Sequence, residues 1–317
     1  MSDSENTAPA ADSAAATTAA STAAASDHGF TVKKRRRWPW VAGAVVVVLG
    51  IAAAIVVPRF AAPASANDTE GATLTVVTAE GNATEEALVK FVGEKVAPKY
   101  GIKVEFKGLS DSTTLNRAVS EGEVAATVYQ HKLWLSQVLE ANPDFEETAA
   151  TPVFRWGFGL WSDKYSSVDQ IPDGANISLY SDPANEAQGL WILERAGLIT
   201  LKDGVDKAKA TQNDIATNPK HLKFTLLDFA AQSRSLPDLD AAVGYTEYYL
   251  AAGIPIEKQI FAPAAPDEFA GQLTVGTKYL KSKNIQQLIK AFKDPAVQEF
   301  LATNKDVKNI LLPLDAK

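Results

Sequence analysis

Strands and helices alternate along most of this chain, and that alternation restricts the fold more than any other feature of the sequence. Residues 74–77 are rich in β-branched side chains, which favours a strand. Apolar residues then recur from Ala87 to Val96 at the spacing of one helix face. Two further strands, over 102–106 and 124–129, enclose another helical pattern. This β-α-β-α-β order predicts helices packed on a largely parallel sheet.

The same alternation returns in the second half of the chain and predicts a second α/β lobe. Its elements are strands over 177–180, 222–227 and 241–245 and a helix over 186–196. Two apolar runs, 154–161 and 273–277, are predicted to connect the lobes. The first lobe is therefore predicted to comprise 73–160 and 262–317, with the second lobe, 161–261, inserted between them.

The first 72 residues differ from the rest and predict a membrane anchor. Residues 1–37 are rich in Ala, Ser and Thr and end in a basic cluster, which indicates a disordered cytoplasmic tail. Residues 38–57 carry no charge, and a helix of that length crosses a hydrocarbon core of about 30 Å. Residues 58–72 resemble a short linker.

The basic cluster 33–37 fixes the predicted orientation. Lys and Arg beside a membrane span favour the cytoplasmic side, so the chain is expected to cross the cell membrane once with its folded part extracellular. A cleaved signal peptide is the alternative, because Ala64-Ser65-Ala66 resembles a small-residue cleavage site that would be cut after Ala66.

The composition excludes several functions. The chain has no cysteine, which rules out disulfides, thiol catalysis and a lipid-bearing cysteine. A net charge of −7 gives no reason to expect nucleic acid. The three histidines lack metal-ligand spacing, and no nucleophile or phosphate-loop motif occurs. We therefore expect a protein that is not an enzyme and that uses no metal or other cofactor.

The predicted fold itself indicates where a ligand would bind. In open α/β sheets, ligands bind beyond the carboxyl ends of the strands. Two such lobes place the default site in the cleft between them. The pattern thus indicates a hinged, two-lobe binding protein and leaves the chemical identity of its ligand open.

Several segments resemble the methionine-binding lipoprotein family of the NlpA/MetQ type. They are Tyr129-Gln130-His131-Lys132, the runs 197–204 (GLITLKDG) and 218–223 (NPKHLK), Arg234-Ser235-Leu236 and 100–105 (YGIKVE). Their order and spacing match the family from about residue 73 to 315. The resemblance implies a type II periplasmic-binding-protein fold and a small amino-acid-like ligand, with methionine or a derivative as the family default. It also implies delivery of that ligand to the permease and ATPase subunits of an ABC importer. A surface sensor or receptor domain on the same fold is the alternative.

The chain departs from the family at positions that contact ligand there. Family members carry Asn-Leu-Gly-Arg, whose arginine holds the ligand carboxylate, where this chain has Asn185-Glu186-Ala187-Gln188. Tyr245 stands where the family has a ligand-binding asparagine. Losing a charged hydrogen-bond partner costs about 1.5–3 kcal/mol. The cations that could compensate are Arg117, Lys132, Arg155 and Arg234.

The predicted ligand-binding residues follow from the resemblance and from strand ends. His131, Trp134 and Tyr129, with Ser112 and Asn116, are expected to act from the first lobe, and Trp156 to stack on the ligand. Asn185, Gln188 and Tyr245 are expected to act from the second lobe, and Glu247 follows the same strand as Tyr245. The structural alternatives are a packed histidine, a capping turn at Asn185 and tryptophans that belong to the core.

Overall fold

The computed structural model describes residues 65–315. The predicted tail, 1–37, and the predicted membrane span, 38–57, lie outside the described residues. Within 65–315, no helix is both long and apolar enough to cross a membrane.

The first lobe is built on a mixed sheet. Its elements up to the crossing are β1 (Thr73–Ala79), α1 (Ala83–Phe91), β2 (Lys103–Leu109), α2 (Ser112–Glu121), β3 (Ala126–His131), α3 (Lys132–Ala141) and β4 (Glu147–Trp156). β1 pairs in parallel with β2 and β3, as the β-α-β-α-β pattern predicts. β3 and β1 therefore both end at the same edge of the sheet.

The second lobe follows the same principle. Its elements are β5 (Phe158–Trp161), β6 (Asn176–Tyr180), α4 (Pro183–Arg195), β7 (Thr200–Leu201), β8 (Ile215–Thr217), β9 (Lys223–Leu227), α5 (Phe229–Ser235), β10 (Ala241–Tyr245), α6 (Thr246–Ala251) and β11 (Gln259–Phe261). Its main sheet has the order β11-β5-β10-β6-β9, with β6 parallel to β9 and β10. β7 and β8 form a separate antiparallel pair.

The chain then returns to the first lobe. The returning elements are β12 (Ala270–Gly276), α7 (Lys283–Phe292), α8 (Pro295–Thr303) and β13 (Leu311–Leu312). They complete a sheet of order β13-β4-β12-β3-β1-β2. The predicted α/β architecture with a second lobe inserted into the first is confirmed by these two sheets.

The crossing between the lobes differs from the prediction. β4 pairs in the first sheet and β5 in the second, so the chain crosses at Gly157, before the boundary predicted after residue 160. The second predicted connector, 273–277, falls mostly within β12, which lies wholly in the first sheet between β3 and β4. The return crossing is the segment between β11 and β12. Both errors arose because a fully buried strand and a connecting strand have the same apolar pattern.

The start of the first lobe also differs from the prediction. The linker was predicted to extend to residue 72, but residues 65–70 are hydrogen-bonded to the first lobe. Asn67 is 1% exposed, and its Nδ2 donates to the Val124 carbonyl oxygen at 3.3 Å. Asn284 Nδ2 donates to the carbonyl oxygens of Ala66 and Thr69. The polar composition of residues 65–70 resembles that of a linker. Their attachment was not predicted, because hydrogen bonds to backbone carbonyl oxygens leave no apolar pattern in the sequence.

Each lobe has its own hydrophobic core, and one residue contacts both. The first core includes Phe154 and Phe292, and the second includes Leu160 and Tyr180. Trp156, at the end of β4, packs against both cores. Gly157 follows it, and a Cβ there would collide with the Asn309 carbonyl oxygen. The crossing is therefore a close-packed point at which the lobes meet.

Candidate functional site

A cavity of about 210 Å³ lies between the two lobes at the carboxyl ends of β1, β3 and β10. A cavity of this size has room for a small molecule. Its aromatic lining consists of Tyr129, Trp134, Trp156, Phe229, Tyr245 and Tyr248. Its polar lining consists of Asn82, Glu85, Gln130, His131, Asn185 and Glu247. Ala79 completes it.

His131 ends β3 and serves as the N-cap of α3. Its Nδ1 accepts a hydrogen bond from the Trp134 backbone N–H at 3.2 Å. Burial lowers the pKa of His131 to about 4, although a hydrogen bond with Asn185 opposes that shift. The ring is thus neutral near pH 7, and because Nδ1 accepts, Nε2 carries the proton. His131 therefore reaches from the first lobe to Asn185 of the second.

Asn185 stands in the first turn of α4 and is held on several sides. Asp182 caps the helix, and its Oδ1 accepts from the Asn185 backbone N–H at 3.0 Å and from its Nδ2 at 2.8 Å. The Tyr245 hydroxyl donates to Asn185 Oδ1 at 2.5 Å. The same hydroxyl lies 3.0 Å from Gln188 Oε1. These contacts fix the Asn185 amide at the cavity wall.

Gln188 does not reach the cavity. It is 1% exposed and lies beyond the Tyr245 hydroxyl, whereas the ring of Tyr245 lines the cavity. The two departures from the family pattern are therefore neighbours in space. The structure thus places Gln188 behind Tyr245 rather than in the cavity lining, and its direct contact with a ligand stays a prediction.

Tyr129 is supported from behind by two other predicted residues. Asn116 Nδ2 donates to the Tyr129 hydroxyl at 2.5 Å and to the Ser112 carbonyl oxygen at 2.7 Å. Gln130 Nε2 donates to Asn116 Oδ1 at 2.7 Å. Ser112 and Asn116 do not line the cavity. They were predicted as ligand contacts from the family resemblance, and the structure places them behind Tyr129, which lines the cavity.

Aromatic rings from both lobes meet around the cavity. The Trp156 ring stands edge-on to His131 at 6.2 Å and to Tyr245 at 6.0 Å between centroids. Trp134 of the first lobe faces Phe229 of the second at 6.4 Å. The predicted stacking residues Trp134 and Trp156 are thus placed where a ligand would contact their rings.

Two carboxyl groups, one from each lobe, complete the lining. Glu85 on α1 is 2% exposed, and its Oε2 has no hydrogen-bond partner within residues 65–315. Burial raises the pKa of Glu85 well above its usual range, and the charge of Glu247 adds to that shift. Burial also raises the pKa of Glu247. Asn82, the N-cap of α1, donates from Nδ2 to Glu247 Oε2 at 3.4 Å across the cleft.

Sequence reasoning missed Asn82 and Glu85, although a signal was present. The motif Asn82-Ala83-Thr84-Glu85 begins two residues after the end of β1, and residues that follow a strand end lie near the cleft. Asn82 caps α1, because its Oδ1 accepts from the Glu85 backbone N–H at 3.0 Å. That register places Glu85 in the first turn, facing the cavity.

The cations proposed to replace the family arginine are placed elsewhere. Arg155 donates to the Leu314 carbonyl oxygen at 2.9 Å and to Asp267 at 2.7 Å. Arg117 pairs with Glu121 and lies over the Phe145 ring. Lys132 and Arg234 are exposed and do not line the cavity. In the part of the chain that the structure describes, the cavity lining therefore contains no lysine or arginine.

The comparisons with known proteins agree with this architecture. The family model for NlpA lipoprotein matches residues 74–312. A relative from Escherichia coli K12, the D-methionine-binding lipoprotein MetQ, is 31% identical over 224 residues, which cover 69% of this chain and 81% of the relative. Among solved structures, an ABC transporter periplasmic substrate-binding protein from Coxiella burnetii is similar with a TM-score of 0.66 and 32% identity, over 76% of this chain and 99% of that one.

A second solved structure, a nutrient-binding protein from Burkholderia cenocepacia bound to methionine, has a TM-score of 0.62 and 30% identity. The similarity covers 76% of this chain and 98% of that one. These neighbours confirm the predicted two-lobe periplasmic-binding-type fold. The ligand of this chain has to be inferred from the residues that line its own cavity.

Proposed function

The chain belongs to the NlpA lipoprotein family, and from this premise we propose that its folded part is the substrate-binding protein of an ABC importer. It is a binding protein rather than an enzyme. The observation that supports the proposal most strongly is the cavity between the lobes, to which both contribute side chains. None of the three relatives described above is named as a sensor.

The mechanism is closure of two lobes on a ligand. A ligand shifts the protein towards the closed form only if it binds that form more tightly, which requires contacts with both lobes. His131 and Trp134 act from the first lobe, and Asn185 and Tyr245 act from the second. Gly157 and the segment between β11 and β12 are the two crossings about which the lobes move.

The default ligand expected from the family is methionine or a derivative. The Escherichia coli relative is named for D-methionine, and the Burkholderia cenocepacia protein was solved with methionine bound. The cavity size in this chain suits a molecule of that class. The ligand proposed here is therefore a small, amino-acid-like molecule.

The proposed location combines the fold with the N-terminal sequence. The uncharged run 38–57 behind the basic cluster would anchor the chain in the cell membrane, with its N-terminus cytoplasmic and its folded part outside. Permease and ATPase subunits are the proposed partners. Tethering keeps the binding protein near the permease, so a modest affinity for it suffices.

A thermal-shift screen of the full-length chain in mild detergent tests this proposal. The panel contains amino acids, methionine sulfoxide, short peptides and small amines. A ligand present at 100 times its Kd stabilises the folded state by about 2.7 kcal/mol. That corresponds to a rise in Tm of about 5–10 °C for a domain of this size.

Two variants of α3 serve as controls for the screen. Trp134→Ala removes a cavity wall and should reduce the shift, whereas Lys132→Ala, exposed on the same helix, should retain it. A panel that produces no shift with the wild-type chain would count against a substrate-binding role.

A further inference from the structure

The side chains in and beside the cavity include acidic groups but, among residues 65–315, no lysine or arginine lines it. Glu85 and Glu247 line it from opposite lobes, and Asp182 stands beside it at the start of α4. His131 adds no positive charge near pH 7, because burial lowers its pKa to about 4. A ligand that enters therefore meets acidic groups and no side-chain cation.

A ligand carboxylate has no charged partner in this cavity. Free backbone N–H groups at a helix N-terminus are the usual alternative to arginine for binding an anion. At the start of α4 that place is taken, because Asp182 Oδ1 already accepts from the Asn185 backbone N–H at 3.0 Å. Gln188, at the position of the family arginine, is covered by Tyr245. A free carboxylate would thus be buried without a lysine or arginine from residues 65–315 to pair with it.

The aromatic lining favours the opposite charge. Ring faces attract a cation that lies within about 6 Å of the ring centroid, because the faces carry partial negative charge. Trp134 and Trp156 belong to the first lobe, and Phe229, Tyr245 and Tyr248 belong to the second. A cation between them contacts both lobes at once. Such an arrangement of rings and carboxylates is typical of sites for organic ammonium groups.

Glu85 supplies an independent observation. Its Oε2 is buried without a hydrogen-bond partner within the described residues, while a hydrogen bond with Trp156 acts on the same carboxyl group. Buried polar atoms almost always have partners, and an exception calls for a physical explanation. Glu85 and Glu247 both line the cavity, so a group bound there with N–H donors or positive charge would satisfy the free oxygen.

We propose that the ligand is an organic cation without a free carboxylate, whose ammonium group binds between Glu85 and Glu247 within the aromatic rings. This inference rests on the proposed substrate-binding role and specifies its ligand class. The two carboxyl groups belong to different lobes, so a cation between them draws the lobes together. Without it their like charges, when ionised, favour an open cleft.

Proton release accompanies binding in this scheme. Burial, with the neighbouring carboxylate of Glu247, raises the pKa of Glu85 well above its usual range, which favours its protonated form. A bound ammonium group lowers that pKa, and the proton passes to solvent. The other titratable groups of the lining are Tyr129, His131, Tyr245, Glu247 and Tyr248. The tyrosines and His131 stay neutral near pH 7, because burial raises the tyrosine pKa values and lowers that of His131. Cation affinity should therefore rise with pH.

Isothermal titration of the full-length chain with a charge series tests the proposal. The probes are 3-(methylsulfanyl)propylamine, methionine and N-acetylmethionine, which share a thioether chain and are cationic, zwitterionic and anionic near pH 7. Tetramethylammonium reports on the aromatic rings alone. We expect the amine to bind at least about tenfold more tightly than methionine, because only methionine carries a carboxylate that lacks a cationic partner. A tenfold difference in Kd corresponds to about 1.4 kcal/mol of binding free energy. N-acetylmethionine should bind most weakly.

Variants assign the effect to the two carboxyl groups. Glu85→Gln and Glu247→Gln should each weaken amine binding by about tenfold or more, because each removes a charged partner. Glu86→Gln, on the same helix and paired with Lys90, should bind as the wild type does. Glutamine has the shape of the protonated Glu85 side chain, so the fold should tolerate that change. Titration in two buffers of different ionisation enthalpy should show proton release in the wild type and not in Glu85→Gln.

The outcomes separate this inference from the proposed function. Methionine binding more tightly than the amine would overturn the cation proposal and leave the importer role intact. An unchanged amine affinity in both glutamine variants would also overturn it. If none of these probes binds while a panel ligand that carries a free carboxylate does, only the cation proposal fails. If the whole panel is silent as well, the substrate-binding role fails with it.

Discussion

Replacing Gln188 by arginine together with Tyr245 by asparagine is expected to switch ligand preference towards methionine. The two residues touch, with 3.0 Å between the Tyr245 hydroxyl and Gln188 Oε1, and the Tyr245 ring separates position 188 from the cavity. Removing the ring opens a path for the arginine, whose guanidinium pairs with a carboxylate through two parallel hydrogen bonds. A charged hydrogen bond contributes about 1.5–3 kcal/mol, so methionine affinity should rise by about ten- to a hundredfold.

Both single variants are the controls for that switch. Gln188→Arg alone should gain little, because Tyr245 still covers position 188, and it buries an unpaired charge. Tyr245→Asn alone removes a packed ring, which contacts Phe158 and Phe229, and should mainly lower stability. The measured quantity is the ratio of the Kd values for methionine and 3-(methylsulfanyl)propylamine, which does not depend on the folded fraction. An unchanged ratio in the double variant would contradict the described path from position 188 to the cavity.

Replacing Trp161 by alanine is expected to give the largest loss of stability of any single change considered. Trp161 is 0% exposed, and its ring stacks on Tyr249 at 4.3 Å between centroids. Its Nε1–H donates to the Gly244 carbonyl oxygen at 3.2 Å. Removing a buried tryptophan side chain costs about 3–5 kcal/mol. We expect a fall in Tm of about 6–20 °C, since each kcal/mol corresponds to about 2–4 °C.

Trp134→Ala is the matched comparison for Trp161→Ala. Trp134 is only half-buried and lines the cavity, so its loss should weaken ligand binding with a smaller fall in Tm. Trp161 lies in the second lobe away from the cavity, so its variant should bind ligand normally below its Tm. Thermal unfolding and titration of both variants measure the two effects. A Trp161→Ala chain that unfolds like the wild type would contradict its place in the core.

The sequence allowed much of the fold to be predicted because burial leaves periodic patterns. Strands β1, β3, β6 and β10 and helices α1 and α4 follow from apolar spacing, which is where local propensity and tertiary packing agree. The crossing at Gly157 was predicted late because residues 154–161, which span the end of β4 and all of β5, are mostly aromatic and apolar and resemble one continuous strand. The lobe to which a strand belongs depends on the strands with which it pairs. The spacing of apolar residues within a strand does not reveal those partners.

The residues of the candidate site that lie at strand ends were predictable. Residues that lie behind other side chains of the cavity wall were harder to place. His131, Tyr245 and Trp156 end strands and do line the cavity. Gln188, Ser112 and Asn116 lie on helices that face the cleft, and larger side chains cover them. Whether a side chain reaches the cavity depends on the size of the side chains that other helices and strands place next to it. The sequence pattern of one element does not contain that information.

The acidic character of the cavity emerged only from the folded arrangement. Glu85 and Glu247 are 162 positions apart along the chain and belong to opposite lobes. Each alone resembles a first-turn residue of a helix, where acidic side chains are common because they complement the helix dipole. Only the placement of both helices at one cleft brings the two carboxyl groups into the same cavity.

Closure of the lobes on a ligand is the central claim, and a distance measurement between the lobes tests it most directly. The chain has no cysteine, so spin labels can be placed at Thr113→Cys and Arg234→Cys alone, both exposed and on different lobes. Pulsed electron paramagnetic resonance then gives the distance distribution with and without the tightest ligand of the thermal-shift panel. We expect a broad distribution in the empty protein and a shorter, narrower one with ligand. A distribution that saturating ligand leaves unchanged would contradict closure.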